Sequence, residues 1–181
     1  MTFSHCSLFE NSLLVYRKWR EEPSCADLRI QEERVMSDFR VLSPTMLASP
    51  QIGPADVVEA AGQGVSLIIN NRPDGESPGE PQGPEIEAAA RKAGLDYLAI
   101  PIGSAGFGEP QIEAMQQAIG NANGKVLAYC RSGTRSTLLW SLAQARAGED
   151  IDAIAATARQ AGYDISPVRA AMDALSAQSK S

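Results

Sequence analysis

The residues best suited to chemistry lie together in the run Cys-Arg-Ser-Gly-Thr-Arg-Ser, from Cys130 to Ser136. The apolar run from Lys125 to Tyr129 predicts a strand that leads into the cysteine, and Ser136 to Arg146 has the pattern of a helix. The free N–H groups and the positive dipole end of such a helix favour negative charge in the loop before it. The pattern therefore predicts a nucleophilic Cys130 thiolate beside an anion-binding loop.

The other residues of the loop fit this chemistry. Gly133 permits a tight turn, Arg135 offers a planar fork of N–H donors, and Ser136 can hold the cysteine side chain or cap the helix. The alternative for Cys130 is a small buried hydrophobe at the end of a core strand, which would need none of these neighbours. The catalytic candidates are Cys130 and Arg135, and the substrate-binding candidates here are Arg131, Ser132, Gly133, Thr134 and Ser136.

Composition limits the function classes. A chain of 181 residues with 44% hydrophobic residues suits one compact domain, and the net charge of −6 argues against nucleic acid or an anionic membrane as a partner. No apolar run approaches the roughly 20 residues of a membrane helix. The cysteines at positions 6, 25 and 130 show neither Cys-x-x-Cys spacing nor a secretory leader. We therefore expect a cytoplasmic protein without disulfides or a zinc site.

The only histidine is His5, far from the cysteine loop. A Cys–His dyad would need a histidine supplied from elsewhere in the fold, and histidine metal sites are equally disfavoured. The sequence thus predicts no metal and no cofactor. Cys130 must be activated by backbone amides, the helix end and arginine.

Residues 1–35 carry mixed charge without a sustained amphipathic period. We expect an N-terminal extension there, disordered or partly helical, or a translational start assigned too early, since Met36 directly precedes the first strand pattern. The catalytic domain is expected to span residues 36–178.

From Phe39 onward strand and helix patterns alternate. The predicted strands are Phe39–Leu42, Thr45–Ala48, Val65–Asn70, Tyr97–Ile102 and the strand before Cys130; the other predicted helices are Pro54–Gly62, Pro84–Ala93, Pro110–Ile119, Ile151–Gln160 and Val168–Ser176. Such alternation predicts an α/β fold with a mostly parallel central sheet flanked by helices. Ligands of these sheets bind beyond the carboxyl ends of the strands, where the loops after Asn70, Ile102 and Tyr129 should meet.

Three separated motifs carry a family resemblance. Phe39-Arg-Val-Leu-Ser-Pro44, Ile69-Asn-Asn-Arg-Pro-Asp-Gly75 and Tyr129-Cys-Arg-Ser-Gly-Thr-Arg-Ser136 together resemble the bacterial family called beta-lactamase hydrolase-like protein, phosphatase-like domain. The resemblance covers about residues 37 to 165. It implies a fold similar to that of the cysteine-dependent dual-specificity phosphatases, and some members of the family are described as sulfurtransferases.

The loop is one residue shorter than the phosphatase loop. Phosphatases of that fold have one more residue between cysteine and arginine, usually with histidine before the cysteine, whereas here Tyr129 precedes Cys130. Cys-Arg-x-Gly-x-Arg is similar instead to the rhodanese loop, in which the cysteine carries a persulfide. Comparison with these families implies that the narrower ring of amides fits one sulfur atom better than a phosphoryl group.

A phosphatase also needs an acid to protonate its leaving group. Phosphatases resembling this chain place an aspartate in the loop after the preceding strand, and Gly103 to Gly108 contains none. Asp74 and Glu109 are the nearest substitutes, although each also suits a solvated loop or helix start. Sulfur transfer expels sulfite or a thiolate, both weak bases, and needs no such acid.

Two further arginines border the predicted site. Arg131 lies within the loop and is expected to point outward, toward an anionic donor or into a surface ion pair. Arg72 follows the third predicted strand and either binds substrate or pins its own loop through Asp74.

Three hypotheses remain open from the sequence. The first is a sulfurtransferase that moves sulfur from thiosulfate or a small persulfide through a Cys130 persulfide to a thiol, with a sulfur-metabolism enzyme as a candidate partner. The second is a phosphatase that forms a thiophosphate at Cys130 with help from Asp74 or Glu109. The third is a non-catalytic anion-binding module. In each case the ligand is a small anion. We favour the first hypothesis and rank the third last, because every element of an activated thiolate is present.

Overall fold

The computed structural model describes residues 37–179, so the predicted extension with His5, Cys6 and Cys25 lies outside the described residues. No helix in this part of the chain has the length and apolar character needed to cross a lipid bilayer. The strands are β1 (Arg40–Ser43), β2 (Met46–Ser49), β3 (Val65–Asn70), β4 (Asp96–Ala99) and β5 (Lys125–Tyr129). The helices are α1 (Pro54–Gly62), α2 (Gly83–Lys92), α3 (Glu109–Asn121), α4 (Thr134–Arg146), α5 (Ile151–Gln160) and α6 (Arg169–Ser179), with a 3₁₀ turn at Ser166–Val168.

The five strands form one sheet in the order β1-β2-β5-β3-β4. β1 pairs with β2 in the antiparallel sense, and the remaining neighbours are parallel. The predicted α/β fold with a mostly parallel sheet is therefore confirmed. Because β2, β3, β4 and β5 run in one direction, their carboxyl ends lie at the same edge of the sheet.

Helices cover both faces of the sheet. Successive side chains of a strand point to opposite faces, so the fully buried pair Ile68 and Ile69 of β3 belongs to two separate cores. Ile68 packs in a cluster with residues of α1 and α2, and Ile69 packs in a larger cluster with residues of α3, α4, α5 and α6. This double burial explains why β3 is a continuous apolar run in the sequence.

Four elements, β3, β5, α1 and α5, have the predicted bounds, and the other seven differ from them by one to three residues. Two of these differences lie next to the cysteine loop. β4 ends at Ala99 rather than at Ile102, because Pro101 has no N–H to donate to the sheet. The chain beyond Ala99 still follows β3: the Ile100 N–H donates to the Asn70 carbonyl at 2.8 Å, and the Ile102 N–H donates to the Asn71 carbonyl at 3.1 Å. α4 begins at Thr134 rather than at Ser136, since the chain turns at Gly133 and is helical directly after it.

Candidate active site

Backbone hydrogen bonds fix the cysteine loop between its neighbouring strands. The Asn71 N–H donates to the Tyr129 carbonyl at 2.9 Å, joining the ends of β3 and β5. On the other side, the Cys130 N–H approaches the Ser49 carbonyl at 3.4 Å, and the Gln51 N–H approaches the Arg131 carbonyl at 3.4 Å. The loop thus starts from the centre of the sheet, at the edge where ligands of parallel sheets bind.

The Cys130 sulfur faces the backbone of its own loop. Its Sγ accepts a hydrogen bond from the Gly133 N–H at 3.1 Å. The first helical N–H groups of α4, beginning at Thr134, have no acceptor within the helix and favour negative charge beside them. Cys130 is fully buried, so a substrate reaches the sulfur only when the surrounding side chains move. Its polar contact distinguishes the thiol from an ordinary core cysteine.

Gly133 has a conformation and surroundings that require glycine. Its φ of +84° lies in the left-handed region, and it is the residue directly before α4. A Cβ at this position would lie 1.9 Å from the hydroxyl oxygen of Tyr163. Burial raises the pKa of Tyr163, so its neutral phenol can donate toward the Ser132 carbonyl, 3.4 Å away. Tyr163 therefore packs against Gly133 and stabilises the cysteine loop. The sequence did not indicate this role.

Replacing Gly133 with alanine should lower the free energy of unfolding by about 3 kcal/mol, from left-handed strain together with the clash against Tyr163. Denaturant unfolding measures this change. The matched control is Gly120→Ala near the end of α3, where a Cβ meets nothing within 4 Å and stability should rise by up to about 1 kcal/mol. Equal effects at the two positions would contradict the loop geometry.

Arg135 extends from the first turn of α4 to the neighbouring loops. Its guanidinium donates to the Ile102 carbonyl at 3.0 Å and to the Glu76 carboxylate at 2.9 Å. Burial opposes the charged form, but the hydrogen bond to Glu76 and the interactions with Cys130 outweigh it and raise the pKa of Arg135. Arg135 is therefore a permanent cation that ties together the loops after β3, β4 and β5.

Glu76 is a part of this site that the sequence did not reveal. Its Oε2 accepts from Arg135 and also from Arg72 Nε, at 2.8 Å. Arg72 is only 7% exposed and also donates to the Gln51 side chain. The hydrogen bond to Arg135 lowers the pKa of Glu76 most, and the hydrogen bond to Arg72 lowers it further. The carboxylate of Glu76 is therefore charged at neutral pH. One of the two hypotheses for Arg72 was that it holds its own loop through Asp74. Arg72 does hold this loop, but its ionic partner is Glu76 and not Asp74.

Arg131 and Arg72 border one cavity beside the cysteine loop. Its volume is about 240 Å³, and Gln51, Glu76, Ser77 and Glu80 complete its lining. Arg131 is exposed, and no salt bridge involves it within residues 37–179. This placement agrees with the expectation that Arg131 points outward, free to meet an anion.

The hydroxyl residues of the loop have separate surroundings. Ser132 and Thr134 are exposed, and the Ser132 hydroxyl donates to the Thr134 hydroxyl at 3.1 Å. Ser136 is fully buried, and its Oγ has no hydrogen-bond partner. The expectation that Ser136 holds the cysteine or caps the helix is therefore wrong for this conformation, since the Gly133 N–H contacts the sulfur instead.

The two carboxylates considered as proton donors have other partners. Asp74 Oδ1 accepts from the Gly83 N–H at 2.7 Å and so satisfies a backbone donor at the start of α2. Glu109 forms an ion pair with Arg146. Neither contact is with the cysteine loop. Asp74 is bound at the start of α2, and its predicted catalytic role stays a prediction.

Comparison with known proteins agrees with this architecture. The family described as "Beta-lactamase hydrolase-like protein, phosphatase-like domain" matches residues 38–147. A beta-lactamase hydrolase-like protein of Xylella fastidiosa is 35% identical over 125 residues, which cover 68% of this chain and 29% of the relative. The chain therefore spans under a third of the length of that curated relative.

Solved structures share the fold. A provisionally assigned phosphatase of Neisseria meningitidis is 33% identical, with a TM-score of 0.68 over 76% of this chain and 98% of its own. TpbA of Pseudomonas aeruginosa, solved in complex with pTyr, shares the fold at 16% identity, with a TM-score of 0.58 over 79% of this chain and 90% of its own. The chain belongs to the phosphatase-like domain family of beta-lactamase hydrolase-like proteins, and its fold is that of the cysteine-dependent phosphatases.

Proposed function

We propose that this chain is a cysteine-dependent sulfurtransferase acting on a small sulfane-sulfur donor. The observation that carries the proposal is the short loop, in which four residues separate Cys130 from Arg135 and the Gly133 amide already lies 3.1 Å from the sulfur. A loop this short suits the addition of one sulfur atom to Cys130. The predicted roles of Arg131, Ser132, Gly133, Thr134 and Arg135 in holding the anion belong to this proposal.

The reaction needs no net oxidant or reductant. The Cys130 thiolate attacks the outer sulfur of the donor, the donor S–S bond breaks, and its electron pair leaves on a thiolate or sulfite. An acceptor thiolate then attacks the outer sulfur of the Cys130 persulfide, which regenerates the Cys130 thiolate. The loop amides and Arg135 stabilise the negative charge at the sulfur throughout.

A phosphatase is the second candidate, and the family description and the Neisseria relative favour it. Cys130 would attack phosphorus, expel the alcohol and form a thiophosphate that water hydrolyses. Leaving alkoxides need a proton donor, but Glu76 is ion-paired, Asp74 binds the Gly83 amide and Glu109 pairs with Arg146. Within the described residues, Glu80 is an exposed carboxylate in the lining of the cavity beside Arg131, and it is the candidate for that role.

Replacing Asp74 with alanine should change stability and not turnover. The lost bond to the Gly83 N–H is expected to lower the free energy of unfolding by about 1 kcal/mol. The rate of Cys130-dependent turnover should stay within about twofold of the wild type, because the carboxylate is bound to the Gly83 N–H and not to a residue of the cysteine loop. Turnover is measured at a temperature well below the unfolding midpoint of the variant. A hundredfold lower turnover rate would indicate that Asp74 is the proton donor.

Two parallel assays separate the candidates. One follows sulfur delivery from a small persulfide or from thiosulfate to cyanide or a thiol, and the other follows phosphate release from aryl and alkyl phosphates. We expect Cys130-dependent sulfur delivery and negligible alkyl phosphate hydrolysis. Cys130-dependent phosphate release that falls in Glu80→Gln, without sulfur delivery, would establish the phosphatase instead.

A further inference from the structure

The charges around the cysteine loop nearly cancel. Glu76 Oε2 lies 2.9 Å from Arg135 and 2.8 Å from Arg72, so one carboxylate is shared by two guanidinium groups. With a Cys130 thiolate, this group of two cations and two anions has no net charge. Arg131 and Glu80, which line the adjoining cavity, add one charge of each sign. An anion that enters must therefore compete with Glu76 for Arg135.

Displacing Glu76 has a cost that is built into the fold. Arg72 is buried and loses an ionic partner when Glu76 moves away, and a buried cation is stable only when it is paired. If Glu76 stays in place, its charge repels the ligand, and this repulsion grows in proportion to the ligand's charge. The cost of displacing Glu76 is the same for every ligand, whereas the repulsion by Glu76 acts more strongly against a doubly charged ligand than against a singly charged or neutral one.

We propose that Glu76 is a specificity-determining residue that excludes doubly charged donors from the Cys130 loop. This inference rests on the proposed sulfur transfer and selects a donor class for it. The preferred donor is a singly charged organic persulfide, and thiosulfate, a dianion, is disfavoured. The lowered pKa of Glu76 keeps the excluding charge in place at neutral pH.

Sulfate and perchlorate provide a direct test because both are tetrahedral oxyanions that differ in charge. Each is titrated at constant ionic strength into the full chain, and binding is followed by amide chemical shifts at the cysteine loop. Glu76→Gln keeps the shape and a hydrogen-bond acceptor but removes the charge. Sulfate affinity should rise about tenfold and perchlorate affinity about threefold, since the electrostatic effect on a dianion is twice that on a monoanion.

The matched control is Glu87→Gln. Glu87 forms an Arg–Glu pair of the same four-residue spacing with Arg91, exposed on α2, and its substitution should leave both affinities unchanged. Glu76→Asp keeps the charge and should retain the wild-type ratio of the two affinities. The wild type itself, which does not depend on any variant folding, should bind perchlorate at least as tightly as sulfate.

Three results would overturn the role of Glu76. They are equal gains in affinity for the two anions in Glu76→Gln, no gain in affinity in Glu76→Gln, and tighter binding of sulfate than of perchlorate by the wild type. The absence of binding in every variant would overturn it as well. The proposed function is judged separately, by sulfur delivery from a persulfide. Charge-dependent binding without sulfur delivery would leave the exclusion by Glu76 standing and refute the sulfurtransferase.

Discussion

Replacing Cys130 with serine is expected to lower sulfur delivery by about a thousandfold or more, to the background rate. The reaction requires a sulfur atom that can form and break an S–S bond, and a serine hydroxyl can do neither. Because Cys130 is fully buried and its Sγ accepts the Gly133 N–H, serine fits the same space and can accept the same donor. The fold should therefore survive while the chemistry is lost.

The two other cysteines supply the matched controls for this experiment. Cys6→Ser and Cys25→Ser make the same substitution in residues 1–36, and each should retain wild-type turnover. Turnover is measured as thiocyanate formed from a sulfane-sulfur donor and cyanide. Substantial activity in Cys130→Ser, or its loss in one of the controls, would place the transferring sulfur elsewhere.

Replacing Arg135 with alanine is expected to lower kcat/KM for a persulfide donor by about a hundredfold to a thousandfold. The variant loses the cation beside the sulfur, the bond to the Ile102 carbonyl and the partner of Glu76 in one step. Arg135→Lys keeps the charge but not the planar fork, which serves two acceptors at once. Its loss should be about tenfold.

Arg91→Ala is the control, since Arg91 lies in an exposed ion pair on α2. Such surface pairs contribute little, and the rate and the stability should both remain close to those of the wild type. Persulfide kinetics on the four proteins give the comparison. A decrease below threefold in Arg135→Ala would show that loop amides alone hold the charge.

Much of the fold could be predicted because the patterns that indicate strands and helices lie within short stretches of the sequence. The continuous apolar run Val65–Asn70 predicted a strand, and the structure has it with the same bounds. Pro54 at a helix start predicted α1, and the apolar spacing predicted α5, and both helices have the predicted bounds. The convergence of loops at the carboxyl edge followed from parallel strand order, which the alternation of strand and helix indicates.

The partners within the site were less predictable because they depend on tertiary contacts. Glu76 lies in a Gly- and Pro-rich loop with no periodicity, and its bond to Arg135 joins residues 59 positions apart. Tyr163 comes from the segment after α5, and only packing shows that it touches Gly133. The position of Ser136 in the sequence suits either a contact with the sulfur or a helix cap, whereas the turn at Gly133 brings a backbone amide to the sulfur instead.

The most direct test of the account is the mass of the intact chain after exposure to a small organic persulfide. We predict a gain of one sulfur atom, assigned to Cys130 by peptide mapping, absent in Cys130→Ser and reversed by an acceptor thiol. The contradicting result is an unchanged mass together with a thiophosphate at Cys130 after incubation with an aryl phosphate. That outcome would show that the Cys130 loop carries phosphoryl groups and not sulfur.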